Sequence, residues 1–170
     1  MNYTLKRSNR KTIGLEITKD CEIIVRAPKR MSDRAIAEFV NKYRGWIDKK
    51  LPEAQKSSER SREIDENEAE LRRAARKTIP VLVERYSKIM GFKPTSVKIT
   101  SAEKRFGSCS SKNSLCFSWR LMAYPIAAVE YVVVHELAHI KYHNHSAAFY
   151  SLVEKYMPDY KERQKLLKIN

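Results

Sequence analysis

The stretch Tyr131–Tyr150, "YVVVHELAHIKYHNHSAAFY", decides how this chain is read, because it holds all four histidines of the molecule. His135 and His139 bracket Glu136 in an H-E-x-x-H pattern. Positions i and i+4 of a helix lie on one face, one turn apart, so both imidazoles can aim a nitrogen at a single point. A zinc ion at that point would sit about 2.0–2.1 Å from each nitrogen. Glu136 directly follows the first histidine, where its carboxylate can act as base for a metal-activated water without ligating. The residues around the pattern are apolar: Val132, Val133, Val134, Leu137, Ala138 and Ile140. Two unpaired imidazoles and a carboxylate are costly in such a helix. A metal removes that cost, whereas the rival reading, two surface histidines on an amphipathic helix, does not.

A catalytic zinc normally takes three protein ligands. His143 continues the series 135, 139, but eight residues of helix rise about 12 Å, so a straight helix keeps it away from His135. The chain must turn before the third ligand arrives. Asn144 tolerates the left-handed conformation that ends helices, and His145 follows it. Ser146 suits the N-cap of a further helix. His145 is therefore the expected third ligand of one catalytic Zn2+. Glu154 is its main rival, since some zincins take a glutamate from the next helix, and His143 is the remaining alternative.

Outward from this stretch, "IAAVEYVVVHELAHIKYH" reads as one helix with Pro125 in its first turn. Before it, "TSVKITSAEKRFGSCSSKNSLCFSWRLMAY" has strand character, with a turn at "SSKNS" and Leu115, Phe117, Trp119 and Leu121 alternating on one face. "ENEAELRRAARKTIPVLVERYSKIMGF" is helical in pattern; Pro80 is expected to kink it or start a second segment, and Gly91 to stop it. Residues 52–63, "PEAQKSSERSRE", are polar and unpatterned and read as a linker. The first thirty residues alternate as three strands, with a turn at Lys19-Asp20 and an end at Pro28. Ser32-Asp33 then offers an N-cap to one helix, "RAIAEFVNKYRGWIDKKL". The expected organisation is an N-terminal β-rich lobe plus helix over 1–51, a linker over 52–63, and a domain holding the H-E-x-x-H pattern over 64–170. The fold class is α+β, with a small antiparallel sheet packed on helices.

At 170 residues with 42% hydrophobic content the chain can build a sizeable core. Its 32% charged residues and mean hydropathy of −0.58 point to a soluble protein. No apolar run approaches the roughly 18 residues needed to span a membrane. "MNYTLKRSNRKTIGLEI" has no apolar segment behind its charges, so it does not read as a secretory signal. A cytoplasmic location is expected. Cys21, Cys109 and Cys116 are odd in number and match no disulfide or C-x-x-C spacing, as free thiols in a reducing compartment would. The net charge of +14 attracts nucleic acid, acidic proteins or anionic surfaces. That charge is spread through folded-looking segments, so a solvated basic surface and a dedicated nucleic-acid site both remain open.

With these residues in view, the chain resembles the YgjP-like metallopeptidases, which are related more distantly to the WLM and SprT-like zincins. The resemblance rests on "RSNRKTIGLEI", "IIVRAP" and the Trp-Ile of "YRGWIDKK" near the N-terminus. Toward the C-terminus it rests on "KRFGSC", "LCFSWRLMAYP", "VEYVVVHELAHI" and "NHSAAFY". It implies a zincin-like domain with His135, His139 and His145 as metal ligands and Glu136 as general base. Metzincins share the ligand spacing but carry glycine where this chain has Tyr142, so that label fails. The family's usual R-W-G-S-C appears as Arg105-Phe106-Gly107-Ser108-Cys109.

Around this core of ligands the substrate residues are less determined. Gly107 and Ser108 read as a strand end where another backbone can approach, and an edge strand beside the metal can bind an extended peptide. A tight packing corner explains them equally. Arg105 is a candidate substrate anchor or a structural ion-pair partner. Tyr142 and Tyr150 are candidate donors to the tetrahedral oxyanion, or packed aromatics. The expected function is a zinc-dependent endopeptidase acting on proteins or peptides. One alternative is a protease of nucleic-acid-bound proteins, because SprT-like and WLM zincins clear DNA–protein crosslinks. The other is a non-catalytic basic nucleic-acid-binding module with a structural metal, against which Glu136 argues, since a closed structural site has no use for a base.

Overall fold

The computed structural model describes residues 2–168. Its chain divides into two units, one ending at Glu63 and the other starting at Ile64.

The N-terminal unit builds a three-stranded sheet from β1 (Thr4–Ser8), β2 (Gly14–Ile17) and β3 (Ile23–Pro28) in the order β1-β3-β2. Strand β3 pairs parallel with β1 and antiparallel with β2, so Val25 lies between Leu5 and Leu15. The turn between β2 and β3 closes through Cys21, which takes φ 63° and donates its N–H to Thr18 O at 3.0 Å. Ser32 caps α1 (Asp33–Lys42), its hydroxyl accepting from the Ala35 N–H. The expected single helix breaks at Tyr43, and α2 (Arg44–Glu66) begins after it. Ile23, Val25 and Ala27 of β3 bury against Ile36, Val40 and Ile47.

Residues 52–63 form part of α2 and are not an irregular linker. They contain no glycine and are rich in Glu, Lys, Gln, Ala and Arg, all good helix formers. A helix with polar residues all round shows no apolar stripe, which is why the pattern was silent.

The second unit opens with α3 (Glu68–Met90), which runs unbroken through Pro80 and stops at Gly91, φ 72°. A mid-helix proline costs about 3 kcal/mol. Burying Ile79, Leu82, Val83 and Tyr86 around it, at about 1.5–3 kcal/mol for each large apolar side chain, outweighs that. Strands β4 (Ser96–Thr100), β5 (Gly107–Cys109) and β6 (Ser114–Ser118) follow in the order β4-β6-β5. The sheet is mixed rather than wholly antiparallel: β4 runs parallel to β6, and β5 antiparallel to it. The "SSKNS" turn puts Asn113 at φ 60°.

Strand β6 ends at Ser118, whose hydroxyl donates to Ala102 O at 2.6 Å and accepts from the Arg120 N–H. Residues Trp119–Ala123 then form a 3₁₀ turn in place of continued strand. Leu115, Phe117, Trp119 and Leu121 are all fully buried. Helices α4 (Ile126–Ala138), α5 (Ala147–Tyr156) and α6 (Tyr160–Leu166) complete the unit. Helix α4 is buried nearly all round, which its apolar sequence requires. Among the described residues no helix is long and apolar enough to cross a membrane.

Candidate metal centre

Helix α4 ends at Ala138, earlier than the sequence suggested. The N–H groups of Lys141 and Tyr142 both donate to Ala138 O, at 3.1 and 3.0 Å, and the Ile140 N–H donates to Leu137 O. This tight turn starts at His139, five residues before Asn144, and swings the chain back at once. It needs no left-handed residue, because backbone and side-chain bonds close it.

His139 shares in that closure. Its Nδ1 lies 2.9 Å from Tyr142 O. A carbonyl oxygen only accepts, so Nδ1 carries the proton and Nε2 keeps a bare lone pair. His145, after the turn, brings its Nε2 to 3.0 Å from Nε2 of His135. One nitrogen from each of His135, His139 and His145 lies within 4.8 Å of the others. Nitrogens about 2.0–2.1 Å from a tetrahedral ion stand about 3.3 Å apart. The close pair already has nearly that spacing, and the donor set is the one that suits zinc. The residues present fit a metal ion.

Phe149 holds the rings from the other side. Ser146 caps α5 by accepting from the Phe149 N–H at 3.4 Å. That cap directs the Phe149 ring onto all three imidazoles, with centroids 4.9, 4.5 and 5.0 Å from His135, His139 and His145. Tyr131 Oη lies 3.4 Å from His135 Nδ1, at the far side of that ring from the cluster. Burial, then the neighbouring His139 and His145, pushes the His135 pKa down to about 3. Burial likewise lowers that of His139. Neutral imidazole is the form that ligates metal.

Glu136, next to His135 in the chain, is 6% exposed. Gly107 of β5 packs directly on it: a Cβ there would stand 2.6 Å from Glu136 Cγ and 2.7 Å from Oε1. The loss of water raises the carboxyl pKa to about 7, with the positive charge of Arg105 pulling the other way. A carboxylate so placed accepts a proton near neutrality and gives it up again.

The other residues singled out from the sequence are placed as follows. Arg105 is exposed and acts on Glu136 through its charge. Ser108 sits on β5 opposite Cys116. Tyr142 contributes its carbonyl to His139, while its ring lies under the Lys141 ammonium at 5.5 Å. The Tyr150 ring stacks on His145 at 6.1 Å and on Tyr160 at 6.0 Å. His143 and Glu154 are exposed, and neither belongs to the three-residue cluster found among the described residues. Sequence reasoning missed Phe149 and Tyr131. Their signals were present: Phe149 falls three residues after a capping serine, and Tyr131 one helical turn before His135.

Residues 11–71 and 65–170 match the family described as YgjP-like, metallopeptidase domain. No curated protein matches the chain. Among solved structures, the metallopeptidase zymogen of Pyrococcus abyssi abylysin is similar, with 24% identity and a TM-score of 0.47. The alignment covers 52% of this chain and 90% of that one.

Proposed function

This chain belongs to the YgjP-like metallopeptidase family, and we propose that it is a zinc-dependent endopeptidase with His135, His139 and His145 as ligands and Glu136 as general base. The observation that carries this reading is the convergence of three imidazoles beside a buried carboxyl whose pKa is raised to about 7. A zinc ion held there supplies Lewis acidity, making water a better nucleophile and the scissile carbonyl a better electrophile.

Glu136 takes one proton from the attacking water, whose oxygen bonds to the carbonyl carbon. The carboxylic acid then returns that proton to the amide nitrogen as the C–N bond breaks, so the base is regenerated. Gly107 keeps the Glu136 side chain against the sheet, because no larger residue fits there. Arg105 favours the ionised carboxylate that the first step needs. Of the two tyrosines, Tyr150 lies beside the cluster and is the better candidate to donate to the developing oxyanion. Strand β5 ends the order β4-β6-β5, so an extended substrate backbone can lie along it at Gly107-Ser108. The three free thiols suit a reducing, cytoplasmic setting.

The test is Glu136→Gln. Peptide hydrolysis should fall about 10²–10⁴-fold while zinc stays bound at the wild-type level. Retained turnover in that variant sinks the mechanism.

A further inference from the structure

The N-terminal unit contains none of the residues discussed at the metal cluster, yet it exposes two large aromatics side by side. Trp46 is 42% and Tyr43 40% exposed, whereas their neighbour Ile47 is 1% exposed and belongs to the core. Their exposure is therefore not the fraying of a poor core. With Leu15 of β2 and Phe39 of α1 they line a hollow of about 250 Å³. Trp46 also forms the wall of a second hollow, about 340 Å³, beside Ile17, Lys50, Glu53 and Ala54. The two hollows thus flank a single indole.

The segment that carries these aromatics is positively charged. Between residues 42 and 56 lie Lys42, Arg44, Lys49, Lys50 and Lys56 against only Asp48 and Glu53. Glu53 is itself bonded to Lys50 at 2.6 Å. The Lys42 ammonium stands 6.0 Å from the centre of the Tyr43 ring. Helix α2 begins at Arg44, and on it Lys49 and Lys50 follow Trp46 by three and four residues, on the same face. The indole accordingly shares its face with two lysines.

We infer that Tyr43, Trp46 and the lysines beside them form a binding groove for single-stranded nucleic acid. An unpaired strand offers flat base faces to the aromatic rings and phosphates to the ammonium groups, a combination that such grooves use without sequence preference. A duplex hides its base faces in the stack. An acidic peptide satisfies the lysines but leaves the indole face without a partner, and an apolar peptide does the reverse. This inference does not depend on the peptidase reading.

The test uses the full chain loaded with zinc and fluorescein-labelled oligothymidylate, oligouridylate, a duplex of equal length, and polyglutamate. The chain has two tryptophans, and Trp119 is fully buried, so quenching of tryptophan emission reports on Trp46. Either single strand should quench that emission, and the tighter of the two names the preferred sugar. Trp46→Ala should weaken single-strand affinity by about 5- to 150-fold, while Trp46→Phe keeps most of it. Lys49→Gln should flatten the plot of log affinity against log salt by roughly 0.7. Thermal unfolding checks that each variant is folded, and quenching of the wild type stays decisive if one is not. Single-strand binding without quenching, equal affinity for duplex, quenching by polyglutamate alone, or no binding overturns the inference.

Discussion

Both units build the same three-stranded sheet, and only one of them carries a buried carboxyl next to a cluster of three imidazoles. In each, the last strand is central, parallel to the first and antiparallel to the second. In each, the second strand begins at a glycine, Gly14 in β2 and Gly107 in β5. What lies over that glycine differs. A Cβ at Gly14 would meet the tip of Arg10, with Nη2 at 3.2 Å, whereas at Gly107 it would meet the Cγ, Cδ and Oε1 of Glu136. One neighbour is the end of a flexible side chain. The other is a carboxylate fixed in a buried helix. Strand topology alone therefore does not make the site; the buried helix beside the second strand does.

Removing the metal should separate the two units most sharply. A ligand that binds only the folded state, at a free concentration on the order of a thousand times its Kd, stabilises by about 4 kcal/mol. Chelation should therefore quicken amide exchange across β4, β6 and α4 while leaving β1 and β3 as they were. Equal quickening in both sheets breaks the comparison.

The two glycines give the next largest contrast. Gly107→Ala should cost about 1–3 kcal/mol of stability, the usual penalty of overpacking, and lower kcat by displacing Glu136. Gly14→Ala should cost less than this, because the added Cβ meets only the end of the Arg10 side chain, at 3.2 Å. Denaturant melts of both variants, with steady-state kinetics, check this. A Gly107→Ala enzyme with wild-type kcat would show that the contact does not position Glu136 for the reaction.

The sequence made part of this legible. The pairing of His135 with His139 follows from helical spacing, and the exclusion of a straight series to His143 follows from helix rise. The end of α4 was not legible, because no glycine or asparagine marks it. Backbone bonds to Ala138 O and the His139–Tyr142 bond close that turn, and neither has a local signature. Helix α2 was hidden for the opposite reason: residues 52–63 favour helix by composition but bury too little to show a period. The parallel pairings β1–β3 and β4–β6 join strands that are not consecutive, so alternation within each strand could not reveal them. Phe149 was overlooked because an apolar residue on a helix face reads as core. It is core, and it packs against the three imidazoles as well.

The smallest expected effect is the most discriminating, because it uses the same chemistry in both units. Ser32 caps α1 and Ser146 caps α5, each through a hydroxyl that accepts a backbone N–H. Replacing an N-cap serine by alanine costs about 1 kcal/mol, so Ser32→Ala and Ser146→Ala should destabilise the chain alike. Zinc affinity should not follow suit. Helix α5 carries Phe149 against the three rings, and His145 immediately precedes its cap, so fraying at Ser146 loosens His145 and its backing together. Helix α1 has no such tie. Competition with a chromogenic chelator should show weaker zinc binding for Ser146→Ala and unchanged binding for Ser32→Ala. If both variants lose affinity equally, the effect is one of general stability, and α5 is not what holds the three rings in place.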